Sequence, residues 1–298
     1  MQTKYDTILV LDFGGQYCHL IGRRIREQGV YSEIVSHDIS PEEVKALNQK
    51  FNIKGLILSG GPSSVYEPNA PKLNPRILET DLPILGLCYG HQILAQLTNG
   101  KVEPAKCKEY GIAYVIIDKP VGVLEGLSEK EKVWMSHGDT VISLPKEFES
   151  IAHTENCPVA AFRHKNKPIY GLQWHPEVIH TENGARMLHN FIFQVCKCQA
   201  NWQMEDLIEK MVQELKTEVG EGQAIIGLSG GIDSSVATAL AAKALNDRLT
   251  AVFVDHGFMR EGEPEAIRAA FENFNINFVV ANAQERFMNK LRGVVDPE

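Results

Sequence analysis

Three buried-strand runs early in this chain each break at a glycine-bearing turn, and that spacing restricts the fold more than any other feature. Thr7-Ile8-Leu9-Val10-Leu11 ends at Asp12-Phe13-Gly14-Gly15, after which Tyr17, Leu20, Ile21 and Ile25 recur at helical spacing. Gly55-Leu56-Ile57-Leu58 is broken by Ser59-Gly60-Gly61-Pro62. Leu82-Pro83-Ile84-Leu85 runs into Gly86-Leu87-Cys88-Tyr89-Gly90, ahead of the helical stretch Gln92-Ile93-Leu94-Ala95-Gln96-Leu97. Between them lie a short strand, Glu33-Ile34-Val35, and a helix start with Ser40 as N-cap and Pro41 at the first helical position. Strands alternating with helices imply a parallel sheet covered on both faces. Ligands in such sheets bind beyond the carboxyl ends of the strands. The pattern therefore predicts one crevice that gathers Gly14-Gly15, Gly60-Gly61 and Cys88.

Cys88 sits at the tip of a strand–turn–helix elbow. Free backbone amides and the helix dipole favour a thiolate there, and the flanking glycines permit a tight turn. A cysteine among apolar residues is also commonly an inert core group, so on this segment alone both readings stay open. A sulfur nucleophile needs a base, and the base needs an orienting carboxylate. Gln173-Trp174-His175-Pro176-Glu177 offers both. His175 and Glu177 are two apart and project to one side of an extended segment. Glu177 is then placed to hold one ring nitrogen of His175 while the other faces Cys88.

The stretch from about 101 to 170 is less regular. Ala113-Tyr114-Val115-Ile116-Ile117 reads as a strand, and Val133-Trp134-Met135 as a strand leading into a polar turn at Ser136-His137-Gly138-Asp139. Glu182 to Val195 reads as a helix with Met187, Leu188, Phe191, Ile192 and Val195 on its apolar stripe. The periodic pattern restarts after Cys196 to Asn201, which marks a domain boundary: 1–198 before it, 199–298 after. A helix lined by Leu207, Ile208, Met211, Val212, Leu215 and Val219 leads to the strand Ala224-Ile225-Ile226-Gly227-Leu228. The loop Ser229-Gly230-Gly231-Ile232-Asp233-Ser234-Ser235 follows, then an alanine-rich helix and the strand Thr250 to Val254. Amides and hydroxyls of such a loop surround a pyrophosphate at a helix N-terminus. It lacks the Gly-Lys-[Ser/Thr] element of a Walker A loop. Asp233 suits a magnesium ion, which prefers oxygen, or a helix cap.

The 298 residues suit two domains of ordinary size. A net charge of −8 argues against general nucleic-acid binding but not against a nucleotide substrate. No apolar run approaches the ~18 residues of a membrane span. Met1-Gln2-Thr3-Lys4-Tyr5-Asp6 leads straight into a strand without a secretory h-region, so a cytoplasmic location is expected. The six cysteines then read as thiols, and Cys196-Lys197-Cys198 lacks zinc-site spacing.

Taken together, these motifs resemble the glutamine-hydrolysing GMP synthetases. Gly86-Leu87-Cys88-Tyr89-Gly90-His91-Gln92 is similar to the nucleophile motif of a class I glutamine amidotransferase domain, and His175-Pro176-Glu177 to its base motif. Leu228 to Val236 and Val252-Phe253-Val254-Asp255-His256-Gly257 resemble the start of an ATP pyrophosphatase domain. The resemblance implies an α/β fold: a flavodoxin-like parallel sheet, then part of an adenine nucleotide alpha hydrolase-like domain. It implies catalysis by Cys88, His175 and Glu177, with an oxyanion hole from Gly61 and Tyr89. Glutamine would be held by Gly60, Gln92, Ser136, His137, Gly138 and Asp139. ATP would be held by Ser229, Gly230, Gly231, Ile232, Asp233, Ser234, Ser235 and Val254, with Mg²⁺ on Asp233. The implied substrates are glutamine, ATP and XMP, with no nucleic-acid or membrane partner. Chains of that family are longer. The resemblance thus implies that the XMP-binding elements and a C-terminal dimerisation domain lie beyond Gly293 to Glu298, with a homodimer as the full-length form. The glutaminase half of another ATP-pyrophosphatase ligase, or a non-catalytic binding module, are the competing readings.

Overall fold

The computed structural model describes residues 4–296. Residues 1–3 of the N-terminal stretch read above, and the last two of the chain, lie outside them. The chain divides into two compact units, Met1–Gln203 and Met204–Glu298.

In the first unit the described elements run β1 (Asp6–Asp12), α1 (Cys18–Arg26), β2 (Tyr31–Ser36), α2 (Pro41–Lys50), β3 (Asn52–Leu58), β4 (Ile84–Leu87) and α3 (Tyr89–Leu97). They continue with β5 (Lys101–Ile117), β6 (Lys130–Ser143), β7 (Phe148–His153), β8 (Ala161–His164), β9 (Ile169–Leu172) and α4 (Gly184–His189). One sheet holds all of these strands, in the order β2-β1-β3-β4-β9-β8-β7-β5-β6. The strands from β2 to β9 pair in parallel, and β8, β7, β5 and β6 extend the sheet antiparallel.

The continuous apolar runs follow from burial on both faces. Ile8 and Val10 of β1, with Ile57 of β3, enter one core layer beside α1's Ile21 and Ile25. Leu9 and Leu11, with Leu56 and Leu58, enter the opposite layer beside α3's Ile93 and Leu94. Ser40 caps α2 through a complete capping box with Glu43, as the Ser-Pro-Glu-Glu start suggests.

Two local readings are corrected. Ser136 to Asp139 is not a turn: β6 continues through it to Ser143, because β5 pairs with it on both sides of a register break between Pro104 and Glu109. The 182–195 helix is regular only over Gly184–His189, then widens through Asn190–Val195.

The second unit contains α5 (Met204–Val219), β10 (Ala224–Leu228), α6 (Ile232–Leu245), β11 (Leu249–Asp255), α7 (Glu263–Phe271), β12 (Asn277–Asn282) and α8 (Gln284–Leu291). The strands form a parallel sheet in sequence order. One face packs Leu228, Phe253, Phe278 and Val280 against Ile267 and Phe271 of α7. Ile225, Val254 and Val279 are exposed. Among the described residues, no helix is long and apolar enough to cross a membrane.

Candidate active site

Leu87 ends β4, and the next residue, Cys88, takes φ 51° and ψ −104° before α3 begins. A non-glycine residue in the left-handed region is strained and persists only where its surroundings fix it. Here the Cys88 amide donates to Leu172 O (2.8 Å), Gln92 N donates to Cys88 O (3.1 Å), and Gly90 N donates to Ser59 O (3.1 Å). The elbow is thus tied to β9, α3 and the end of β3. Gly90 permits this approach: a Cβ there would stand 2.4 Å from Leu58 O and 2.7 Å from Leu58 Cβ. Backbone cannot yield as a side chain does. Gly90→Ala is therefore expected to destabilise the first unit by about 3 kcal/mol, lowering Tm by roughly 8 °C. A thermal melt within a degree or two of wild type would contradict this packing.

Gly60, at the turn after β3, separates the base from the nucleophile. A Cβ on Gly60 would lie 3.0 Å from His175 Cε1 and 3.6 Å from Cys88 Cβ. His175 Nδ1 lies 2.7 Å from Glu177 Oε1, and the carboxylate is 1% exposed. The pair sits in the turns after β9 rather than in an extended segment, so the loop has its own supports. Thr181 Oγ1 donates to His175 O (2.6 Å), His175 N donates to Trp134 O (3.1 Å), and Arg24 Nε donates to Glu177 O (2.9 Å). Burial opposes charge on the His175 ring, but hydrogen bonds to Cys88 and Glu177, with the charges of both, outweigh it and raise the ring to about 11. His91, the other histidine beside the elbow, is fully buried against Phe162, and burial pushes it down to about 3. It stays neutral and structural.

Two cavities meet at Cys88, Gly61 and Ser136. One, about 470 Å³, is lined by Tyr89, Gln92, His137, Gly138 and Asp139. The other, about 350 Å³, is lined by Gly14 to Tyr17, Gly60 and His175. Among the described residues, neither the Gly61 nor the Tyr89 amide is taken by another protein group. The glutamine-pocket residues named from sequence are therefore brought to one place, with Gly60 on the His175 side.

Several neighbours carried no sequence signal. Tyr66 Oη donates to Asp139 Oδ1 (2.8 Å), and the Tyr17 ring stands edge-on to His175 at 5.1 Å. Lys108 lines the larger cavity. Glu109 accepts from His137 Nε2 (3.0 Å) and Thr154 Oγ1 (2.9 Å); these bonds hold its carboxyl below the usual range despite burial. His137 Nδ1 faces Asp139 O at 2.9 Å. Both ring nitrogens thus face protein oxygens. Ligand atoms of Glu109, His137 and Cys157 lie within 4.8 Å of one another. Each already has a protein partner, Cys157 Sγ accepting from Thr140 Oγ1 (3.1 Å), and burial pushes Cys157 up to about 11. The trio reads as a hydrogen-bonded cluster whose His137 lines the cavity, not as a metal centre.

In the second unit only 229–231 form the loop that joins β10 to α6; Ile232, Asp233, Ser234 and Ser235, read as loop from the sequence, make the first turn of the helix. Gly230 takes φ 85°, and Gly231 precedes the helix with no side chain to cap its first amides. Ser229 and Ser234 hydroxyls lie 3.0 Å apart, and Ser234 Oγ donates to Gly231 O (3.1 Å). Asp233 lies in the first turn of α6, and Val254 is exposed near the end of β11. An uncapped helix start preceded by a glycine turn suits an anion.

The glutamine amidotransferase class-I family profile matches residues 9–195. The chain belongs to this amidotransferase family. The NAD synthase family profile matches residues 202–292 of the same chain. GMP synthase [glutamine-hydrolyzing] of Caldanaerobacter subterraneus subsp. tengcongensis is 47% identical to this family member over 100% of the chain and 58% of its own length. The protein so described from Lactobacillus acidophilus is 49% identical over 99% of the chain and 57% of its own. The chain thus spans 58% and 57% of the two relatives' lengths. A crystal structure described as a putative GMP synthase subunit from Thermoplasma acidophilum is 33% identical, with a TM-score of 0.57, over 70% of this amidotransferase chain and 100% of that one.

Proposed function

We propose that the first unit hydrolyses glutamine to glutamate and ammonia through a thioester on Cys88. The observation that carries this reading is the meeting of Cys88, the Glu177-bonded His175 ring and two free amides around one pair of cavities. The Cys88 thiolate attacks the side-chain amide carbon. The Gly61 and Tyr89 amides receive the oxyanion that develops. His175 gives its proton to the departing nitrogen, and ammonia leaves. Acylation then removes the sulfur's charge, one of the causes that hold the His175 proton. The ring becomes able to take a proton from water, which attacks the thioester, and glutamate leaves as Cys88 recovers its thiolate. In the larger cavity, Asp139 with Tyr66 suits the substrate's α-ammonium, and Lys108 its α-carboxylate.

For the second unit we propose the start of a synthetase half that aminates XMP to GMP with ATP. Residues 229–235, the turn and first helical turn of α6, would hold the ATP together with Val254, and Asp233 would hold its Mg²⁺, which supplies charge neutralisation on the phosphates when bound. The support is the uncapped glycine loop together with the GMP synthase relatives. The division into an amidotransferase domain over 1–198 and a pyrophosphatase part over 199–298 belongs to the same proposal.

A glutamine-mimicking electrophile tests the first half. It is expected to alkylate Cys88 and spare the other cysteines. Burial pushes Cys18 up to about 12 and Cys157 up to about 11, and raises Cys196 well above the ordinary thiol range. Cys107 is exposed and lines neither of the two cavities that meet at Cys88. Mass mapping that places the label elsewhere, or no ammonia release from glutamine, would overturn the assignment.

A further inference from the structure

We infer that Gln173 is a further catalytic residue: its side-chain amide donates a hydrogen bond to the Cys88 sulfur and stabilises it as the thiolate. The inference rests on the reading of Cys88 as the nucleophile. Gln173 follows β9 and is fully buried, its backbone N–H donating to Ala160 O (2.8 Å). Its Nε2 lies 3.7 Å from Cys88 Sγ, within range for a sulfur acceptor.

Which end of an amide faces the sulfur is fixed by the network rather than by the amide itself. Asp139 O can only accept, and Gln92 reaches it at 3.0 Å, so Gln92 presents Nε2 there. The same Nε2 lies 3.1 Å from the Gln173 side chain, which must therefore present Oε1 to it. The Gln173 NH₂ group is left pointing at Cys88. A chain of orientations thus runs from the β6 backbone through Gln92 and Gln173 to the nucleophile. Gln92 is a positioning residue in this chain.

The sulfur's other contacts differ in sign. Ser136 O, 3.5 Å away, accepts from the thiol and opposes its ionisation. His175, backed by Glu177, favours the thiolate while protonated. Across the cavity stand His137 and Asp139 of β6 and Lys108 of β5. His91 of α3 also faces Gln173, and burial pushes it down to about 3, so it stays neutral across the range tested and the profile is not confounded by its charge. A buried donor aimed at a developing anion strengthens as the charge forms. It also persists once His175 has given up its proton, when glutamate leaves and the sulfur must carry its charge again.

The test is iodoacetamide alkylation of Cys88 in the full 298-residue chain, read by peptide mass mapping across about pH 5 to 10. Gln173→Leu is expected to slow alkylation near neutrality about tenfold and move the midpoint of the profile up by about one pH unit. Gln173→Glu, of the same shape, places an oxygen against the sulfur and is expected to move it further. Wild-type profiles in folded variants would overturn the inference. Should the leucine variant fail to fold, the glutamate variant decides. The wild-type protein gives an independent reading: the Gln173 side-chain amide resonance should move at the same midpoint as alkylation, and a resonance that ignores it overturns the inference. Normal Gln173 dependence with no ammonia release from glutamine would sink the glutaminase reading and leave this one standing. Full ammonia release with unshifted profiles would do the reverse.

Discussion

Cys88→Ala is expected to reduce ammonia release from glutamine by about 10⁴-fold or more, since the covalent route is lost and only binding and the oxyanion donors remain. The fold should survive. Cys88 holds its φ of 51° through backbone bonds to Leu172 and Gln92, and these do not involve the sulfur. Glutamine binding should survive as well, because Ser136 to Asp139, Tyr66 and Lys108 line the cavity independently of the thiol. The variant is thus expected to bind glutamine without consuming it, as a tighter melt with added glutamine would report. Cys88→Ser keeps an attacking atom but replaces the thiol with a less acidic and less nucleophilic hydroxyl, so it should be nearly as inactive. Ammonia release from Cys88→Ala within tenfold of wild type would remove sulfur from the mechanism.

What the sequence disclosed follows from which forces are local. Continuous apolar runs such as Leu9 to Leu11 are short and bounded by turns, and only a strand buried on both faces uses every residue of such a run. The elbow is legible because strand, glycine, cysteine and helix are adjacent in the chain. The antiparallel extension is not. β5 and β6 are half-exposed strands whose partner lies across a register break, so Ser136-His137-Gly138-Asp139 has the composition of a turn while its backbone is held by Glu109 and Tyr110 opposite. The pairing of His175 with Glu177 was legible as spacing, but the loop's shape depends on its own Thr181 and on Trp134 and Arg24, contributed by two other segments. Tyr17, Tyr66 and Glu109 reach the site only through tertiary contacts. Gln173 stood two residues from the base and in plain view, yet its role depends on Gln92 and Asp139, far away in sequence.

Glu177→Gln is expected to lower the glutaminase turnover by about 10⁴-fold, in line with the loss seen when a triad's orienting carboxylate becomes an amide. The amide either presents its oxygen, keeping a weaker bond to Nδ1, or presents NH₂ and forces the wrong ring tautomer. In both cases the charge that steadies the imidazolium is gone. The backbone of the loop should not move, since Arg24 binds Glu177 O and Thr181 binds His175 O whatever the side chain. The pH dependence gives a second reading with a definite sign. His175 is raised in the folded state to about 11 from an ordinary value near 6.5. Its protonation therefore contributes stability that is fully present below the ordinary value and is lost as pH rises through about 11. Removing Glu177's charge lowers the folded value and shortens that window from the top. The Tm difference between wild type and variant should then be widest near neutrality and close as the solution becomes strongly alkaline. Burial makes this contribution resistant to salt, unlike a surface ion pair. A variant that loses activity with a Tm difference independent of pH would mean that Glu177 only fixes the ring's direction. A variant with wild-type turnover would mean that the carboxylate is structural and that His175 works alone.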